Sequence, residues 1–210
     1  MNKKLTSNNH IEKVFYAEAD YSQDEIDAVI DVLKNNRLSL MGGAKVKVLE
    51  QKVSTIFNKD FGLMVNSGSS ANLIAFLSLN LKKGTKIITP SLTFSTTIAP
   101  IVQSNLIPYF VDVEEETLQI NTSRMKEMNL DNVSAICVPN LIGNVANWNE
   151  IYQFAKENKL RIIEDSADTI GYEYKTKLDN WSDISTTSFY ASHVITGAGF
   201  GGMVSYSNSV

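Results

Sequence analysis

The sequence predicts an α/β fold: a mostly parallel sheet with helices on both faces, giving three layers, α/β/α. Three observations predict it. Short apolar runs suited to buried strands recur at Phe61–Val65, Lys86–Thr89, Ile107–Val111, Ala135–Val138 and Arg161–Glu164. Helical stretches near Ser70–Leu81, Thr96–Ser104, Thr122–Met128 and Trp148–Asn158 lie between them. Strand and helix in strict turn favour right-handed crossovers and hence parallel pairing. Two later runs, Thr186–Tyr190 and Met203–Tyr206, read as strands with no helix between them. Upstream, Ser22-Gln-Asp-Glu25 has the form of a capping box, and Ile26, Val29, Ile30 and Leu33 follow at helical spacing. Val46, Leu49, Val53, Ile56 and Phe57 mark a second amphipathic helix. The expected division is an N-terminal helical segment over 1–35 and a large domain over 36–210, cut at its C-terminal end after a strand.

Composition sets the outer limits. At 210 residues, 43% hydrophobic and 20% charged, the chain is an ordinary globular one with room for one substantial core. A net charge of −4 offers no general attraction to nucleic acid or to anionic membranes. No apolar run approaches the ~20 residues that span a bilayer, and the first ten residues lack a signal-peptide core, so a cytoplasmic location is expected. Cys137 is the single cysteine, which excludes an internal disulfide and an all-cysteine metal cluster.

In an open parallel sheet, chemistry gathers outside the carboxyl ends of the strands. Phe61–Val65 leads into Asn66-Ser-Gly68-Ser69-Ser-Ala-Asn72, where a glycine and the free N–H groups of a helix start suit a phosphate; the plain alternative is a serine N-cap. Phe94 follows the second of these strands and reads either as a core plug or as a ring covering a planar ligand. Asp165 ends another, as a helix cap or as a partner for a protonated ring nitrogen, and Asp168 sits one helical turn further on. Gly197-Ala-Gly-Phe-Gly-Gly202 fits the dinucleotide pattern G-x-G-x-x-G, but it leads into a strand rather than a helix and has no acid about 20 residues later. It is assigned to backbone bordering the site. His10, in a polar stretch, is read as solvent-exposed.

Taken together, Asn66–Asn72, Thr89-Pro-Ser-Leu-Thr-Phe94, Phe110-Val-Asp-Val113, Glu164-Asp-Ser-Ala-Asp168 and Ser188-Phe-Tyr-Ala-Ser-His193 resemble the sugar-nucleotide aminotransferases of the DegT/DnrJ/EryC1/StrS family, fold-type-I enzymes dependent on pyridoxal 5′-phosphate (PLP). The resemblance covers nearly the whole chain. It implies that Gly68, Ser69 and Ser188 hold the cofactor phosphate, that Phe94 stacks on the ring, and that Asp165 pairs with its nitrogen while Asp168 borders the same group. His193 stands where these enzymes keep the lysine that binds the cofactor covalently, and the last lysine of the chain is Lys177. An imidazole moves protons but does not anchor an aldehyde.

The exchange, with Ser69–Asn72, Ser95–Thr97, Asp168 and Asn140, resembles the 3-dehydratase branch of the family. That branch implies catalysis by His193, pyridoxamine 5′-phosphate (PMP) as the working cofactor, glutamate as amino donor, and a nucleotide-linked 4-keto-6-deoxy sugar as substrate. Met41, Gly42 and Gly43 are the expected substrate contacts, although an ordinary turn explains them slightly better. Ala167 replaces a cysteine of the iron–sulfur sister enzymes, so no metal is expected. Family members are about twice this length, homodimeric, and carry a smaller C-terminal domain that is expected to be missing here. An ordinary sugar aminotransferase and a non-catalytic binder of PLP or nucleotide sugar are the competing readings.

Overall fold

The computed structural model describes residues 19–172 and 180–208. His10, Lys175 and Lys177 therefore lie outside the described residues. In chain order the elements are α1 (Gln23–Asn35), α2 (Ala44–Ile56), β1 (Phe61–Val65), α3 (Gly68–Ser78), β2 (Lys86–Pro90), α4 (Ser95–Gln103), β3 (Ile107–Val111) and α5 (Thr122–Lys126). They continue with β4 (Val133–Pro139), α6 (Trp148–Asn158), β5 (Arg161–Asp165), β6 (Ile184–Ser188) and β7 (Gly202–Tyr206).

The strands form one sheet in the order β1-β7-β6-β5-β4-β2-β3. Pairing is parallel from β6 through β3, and β7 runs antiparallel to both of its neighbours, β1 and β6. β1 and β6 thus point the same way as the rest, and the mostly parallel sheet expected from the alternation is present. The carboxyl ends of the six parallel strands share one edge, where Val65 and Ser188 both align with Gly202.

Side-chain alternation along each strand divides the core between two faces. In β5, Ile163 packs with Ala71, Ala75 and Phe76 of α3 and Ile101 of α4. Its neighbour Ile162 packs with Trp148, Ile151 and Phe154 of α6 on the other side. Val53 of α2 joins that second side through Met203 and Phe189, completing three layers. The last strand pair departs most from expectation: β6 begins two residues earlier than the sequence suggested, because its hydroxyl-rich register is buried at every position.

The capping box forms as predicted. The Ser22 side chain accepts from the Asp24 N–H at 3.2 Å, and Glu25 accepts from the Ser22 N–H at 2.6 Å. The stripe Ile26, Val29, Ile30 and Leu33 nevertheless stays exposed, and no residue of α1 is buried. Lys59 behaves oppositely. It is buried at the amino edge of the sheet, where its Nζ donates to Asn180 Oδ1 and the Ser182 carbonyl.

These placements carry two expectations. Phe76→Ala, in the core, should cost about 3–5 kcal/mol in urea unfolding, whereas Val29→Ala on the exposed stripe should stay within about 0.5 kcal/mol. Burial pushes the Lys59 ammonium from 10.5 down to about 8, against the pull of Glu164 and Asp183. Between about 8 and 10.5 the unfolded chain holds the proton that the folded chain has released, so this group makes stability rise with pH. The stability difference, wild type minus Lys59→Met, should therefore climb across that window. A flat difference would remove Lys59 as the cause.

Candidate active site

At the carboxyl edge, β1 ends in a turn whose Ser67 caps α3, its Oγ accepting from the Ser70 N–H at 3.1 Å. The plain N-cap reading is therefore correct for Ser67, but it does not explain Gly68. A Cβ built on Gly68 would lie 2.7 Å from Ser188 Cβ and 3.2 Å from Ser188 Oγ, so only glycine lets the helix start meet the end of β6 this closely. Gly202 meets the same turn from β7, where an added Cβ would fall 2.6 Å from the Gly68 nitrogen. The N–H groups of Gly68 and Ser69 open α3 and have no acceptor within it. Ser69 is exposed and Ser188 buried. Sequence-distant Gly68, Ser69 and Ser188 are thus gathered at one corner beneath a helix N-terminus.

Asp165 ends β5 on the α3/α4 face. Its Oδ2 accepts from Asn72 Nδ2 and from Thr97 Oγ1, each at 2.8 Å, while Oδ1 receives the Ala167 N–H at 3.3 Å. Burial raises this carboxyl above its ordinary range, and these donors oppose the rise. Asn72 is itself oriented, because its Oδ1 accepts from Thr186 Oγ1 at 2.6 Å. The amide nitrogen must therefore face Asp165. Asn72 and Thr97 were noted in the sequence only as branch-like residues. Their position on the inner turns of α3 and α4, facing an acid at a strand end, was the signal available.

Phe94 precedes α4 and is 68% exposed, which overturns the core-plug alternative and leaves its ring free for a ligand. Asp168 differs from expectation in its route. Residues 166–172 form no helix, because Ser166 N–H bonds back to the Thr186 carbonyl and Thr169 Oγ1 to the Asn140 carbonyl. Asp168 turns instead to the Ile142 N–H, at 3.1 Å, and to His193, whose Nε2 lies 3.7 Å from Oδ1. His193 occupies the loop between β6 and β7. Its backbone N–H donates to the Tyr190 carbonyl at 3.0 Å, and the two rings meet edge-on at 5.8 Å. Gly197–Gly202 is the returning limb of that loop and enters β7 directly, as expected for site-bordering backbone.

On the opposite face, Glu164 forms a hub that sequence reasoning missed. Its carboxylate accepts from Asn140, Ser166, Tyr172, Trp181, Ser182 and Ser185 at 2.6–3.2 Å. Among the described residues, Met41, Gly42 and Gly43 make no hydrogen bond to the cluster. Met41 is exposed, Gly42 takes φ 68°, and Gly43 accommodates the Ser39 carbonyl and caps α2.

Residues 19–209 match the model of the DegT/DnrJ/EryC1/StrS aminotransferase family. The chain is 37% identical over 190 residues to a dTDP-4-dehydro-2,6-dideoxy-D-glucose 3-dehydratase of Saccharopolyspora spinosa, covering 86% of this chain and 41% of that protein. It is 32% identical over 188 residues to the GDP-4-keto-6-deoxy-D-mannose 3-dehydratase of Escherichia coli O55:H7, covering 86% and 48%. Among solved structures, E. coli GDP-4-keto-6-deoxy-D-mannose-3-dehydratase with bound hydrated PLP superposes with a TM-score of 0.85 at 30% identity, covering 94% of this chain and 52% of that one. The chain thus spans about half the length of the relatives it matches.

Because Asn72 and Thr97 bond one oxygen of a buried carboxylate, Asn72→Leu and Thr97→Val should each cost about 1.5–3 kcal/mol in denaturant unfolding. Their double mutant should deviate from additivity, since each loss changes what the other donor supports.

Proposed function

The chain belongs to the DegT/DnrJ/EryC1/StrS aminotransferase family, and on that premise we propose that the protein removes the C3 hydroxyl of a nucleotide-linked 4-keto-6-deoxy sugar, using PLP and PMP, in the supply of deoxysugars for surface polysaccharide. The observation that carries this reading is His193 beside Asp168 on the loop after β6, with no lysine between Tyr190 and Gly202.

The residues present fit the cofactor. Gly68 packed against Ser188 leaves no Cβ in the turn where free N–H groups suit a phosphate. Phe94 offers an exposed aromatic face, and Asp165 is a buried carboxylate with no cation bonded to it among the described residues. When bound, the cofactor supplies an electron sink for carbanion chemistry next to the sugar's C4 carbon.

The protein's part is to hold and to move protons. Gly68, Ser69 and Ser188 bind the phosphate, and Phe94 covers one face of the ring. Asp165 holds its nitrogen protonated, which also relieves the energetic cost of a buried, unpaired charge. The imidazole of His193 takes and returns a proton, the task histidine serves most often among side chains. Lacking an amine there, the protein does not displace an aminated product, so loss of water is favoured over amino transfer. Glutamate as amino donor, a cytoplasmic homodimer, Met41–Gly43 as nucleotide contacts, and a helical segment 1–35 ahead of the cofactor-binding domain 36–210 belong to the same proposal. Among the described residues no helix is long and apolar enough to cross a membrane.

Incubation with PMP and a nucleotide-linked 4-keto-6-deoxy sugar should yield a 3-deoxy sugar by mass spectrometry and NMR, and an aminated or unchanged sugar would overturn the assignment. His193→Asn should lower kcat by about 10²–10⁴-fold. After borohydride reduction with PLP, His193→Lys should give a labelled peptide containing position 193 that wild type lacks.

A further inference from the structure

The geometry points to Asp168 as the positioning residue that decides which nitrogen of His193 carries the proton: Nε2 is protonated toward the carboxylate, and Nδ1 is left bare as the base. The chemical use of that base rests on the dehydratase reading above; the placement of the proton does not.

Several observations meet here. His193 Nε2 faces Asp168 Oδ1 at 3.7 Å. That is longer than a hydrogen bond, yet a proton on Nε2 is attracted by the carboxylate where a lone pair is repelled, and such contacts commonly tighten once a ligand is in place. Nδ1 is buried with no hydrogen-bond partner among the described residues. A buried N–H left unpaired is rarer in folded proteins than an under-used acceptor, so an orphaned Nδ1 suits a lone pair better than a proton.

Asp168 is also not free to wander. Its Oδ2 accepts the Ile142 N–H at 3.1 Å, and Ile142 sits at φ 54°, ψ 40°, a left-handed conformation that a β-branched residue adopts only under constraint. The constraint is visible in buried Gln119, which clamps Leu141 from both sides: Nε2 donates to the Leu141 carbonyl at 3.0 Å, and Oε1 accepts the Leu141 N–H at 3.3 Å. Thr169 Oγ1 ties the Asp168 loop to the same turn through the Asn140 carbonyl at 3.0 Å. On the other side, the Tyr190 ring borders the imidazole edge-on. A strained amide therefore points one carboxylate oxygen away and leaves the other for His193. When Nδ1 takes a proton, the resulting positive imidazolium is balanced by Asp168 without any movement of the acid.

The chain has two histidines, so a His10→Gln background labelled with ¹⁵N-histidine reports His193 alone. At a pH high enough to leave the ring neutral, it should show a single tautomer with protonated Nε2 and bare Nδ1. Asp168→Ala should pull the two nitrogen signals toward their average. Asp168→Asn, which keeps the shape, should move them the same way by less, and serves if the alanine variant does not fold. A protonated Nδ1 in the parent protein, or signals unmoved in a folded Asp168 variant, would overturn the inference. Absence of a 3-deoxy product with an Asp168-dependent tautomer would refute only the proposed function. A 3-deoxy product with an Asp168-independent tautomer would refute only the role of Asp168.

Discussion

The rest of the site depends on the anchoring of one buried carboxylate, Asp165. A charge at the end of a central strand is costly to bury unless neighbours solvate it. Here the donors come from α3 through Asn72 and from α4 through Thr97, while Thr186 of β6 fixes the orientation of Asn72. One carboxylate oxygen thus ties four elements together at the edge where Gly68, Ser188 and His193 also converge. Among the described residues, the other oxygen receives only the Ala167 N–H, at 3.3 Å. The arrangement is suited to a charged partner, because the scaffold uses one oxygen and leaves the other underemployed.

The adjacent residue does the converse. Strand alternation sends Glu164 to the face of α6, where amide, hydroxyl and indole donors surround it. No capacity remains for a ligand, and the neighbouring Tyr172 hydroxyl is held firmly protonated by burial and by that carboxylate. Two successive acids in one strand therefore serve different ends: Asp165 addresses the site, and Glu164 closes the layer beneath it. Lys59 reaches toward the same region from the amino edge.

Most of the scaffold was legible because hydrophobic periodicity reports burial. Trp148–Asn158 was placed to the residue, since its apolar face meets a continuous core. β6 was misplaced because Ile184-Ser-Thr-Thr-Ser188 carries almost no apolar signal; its burial is sustained by hydroxyl bonds to Glu164, Asn72 and the Ser166 carbonyl. The close approach of Gly68 to Ser188 was legible only through family resemblance, because no local pattern states which distant residue a glycine must admit. The meeting of Asp168 with His193 was hidden by a wrong assumption of helix after Asp165. The irregular chain there is set by bonds to β4 and β6 that no short window contains. The exposure of α1 was equally unreadable, since its stripe has the spacing of a core helix.

β7 has one further consequence, which concerns synthesis. Among the described residues β1 is joined to the sheet only through β7, and β7 comes from the far end of the described chain. The turn that presents Gly68 is braced by Gly202 of that same late strand. A growing polypeptide could pair β2 through β6 as each emerges, but β1 must wait beside the ribosome with its edge unsatisfied. Such long-range closure is slow and leaves a strand open to wrong partners. The corner proposed as a phosphate cradle thus closes only when strands from opposite ends of the described chain meet.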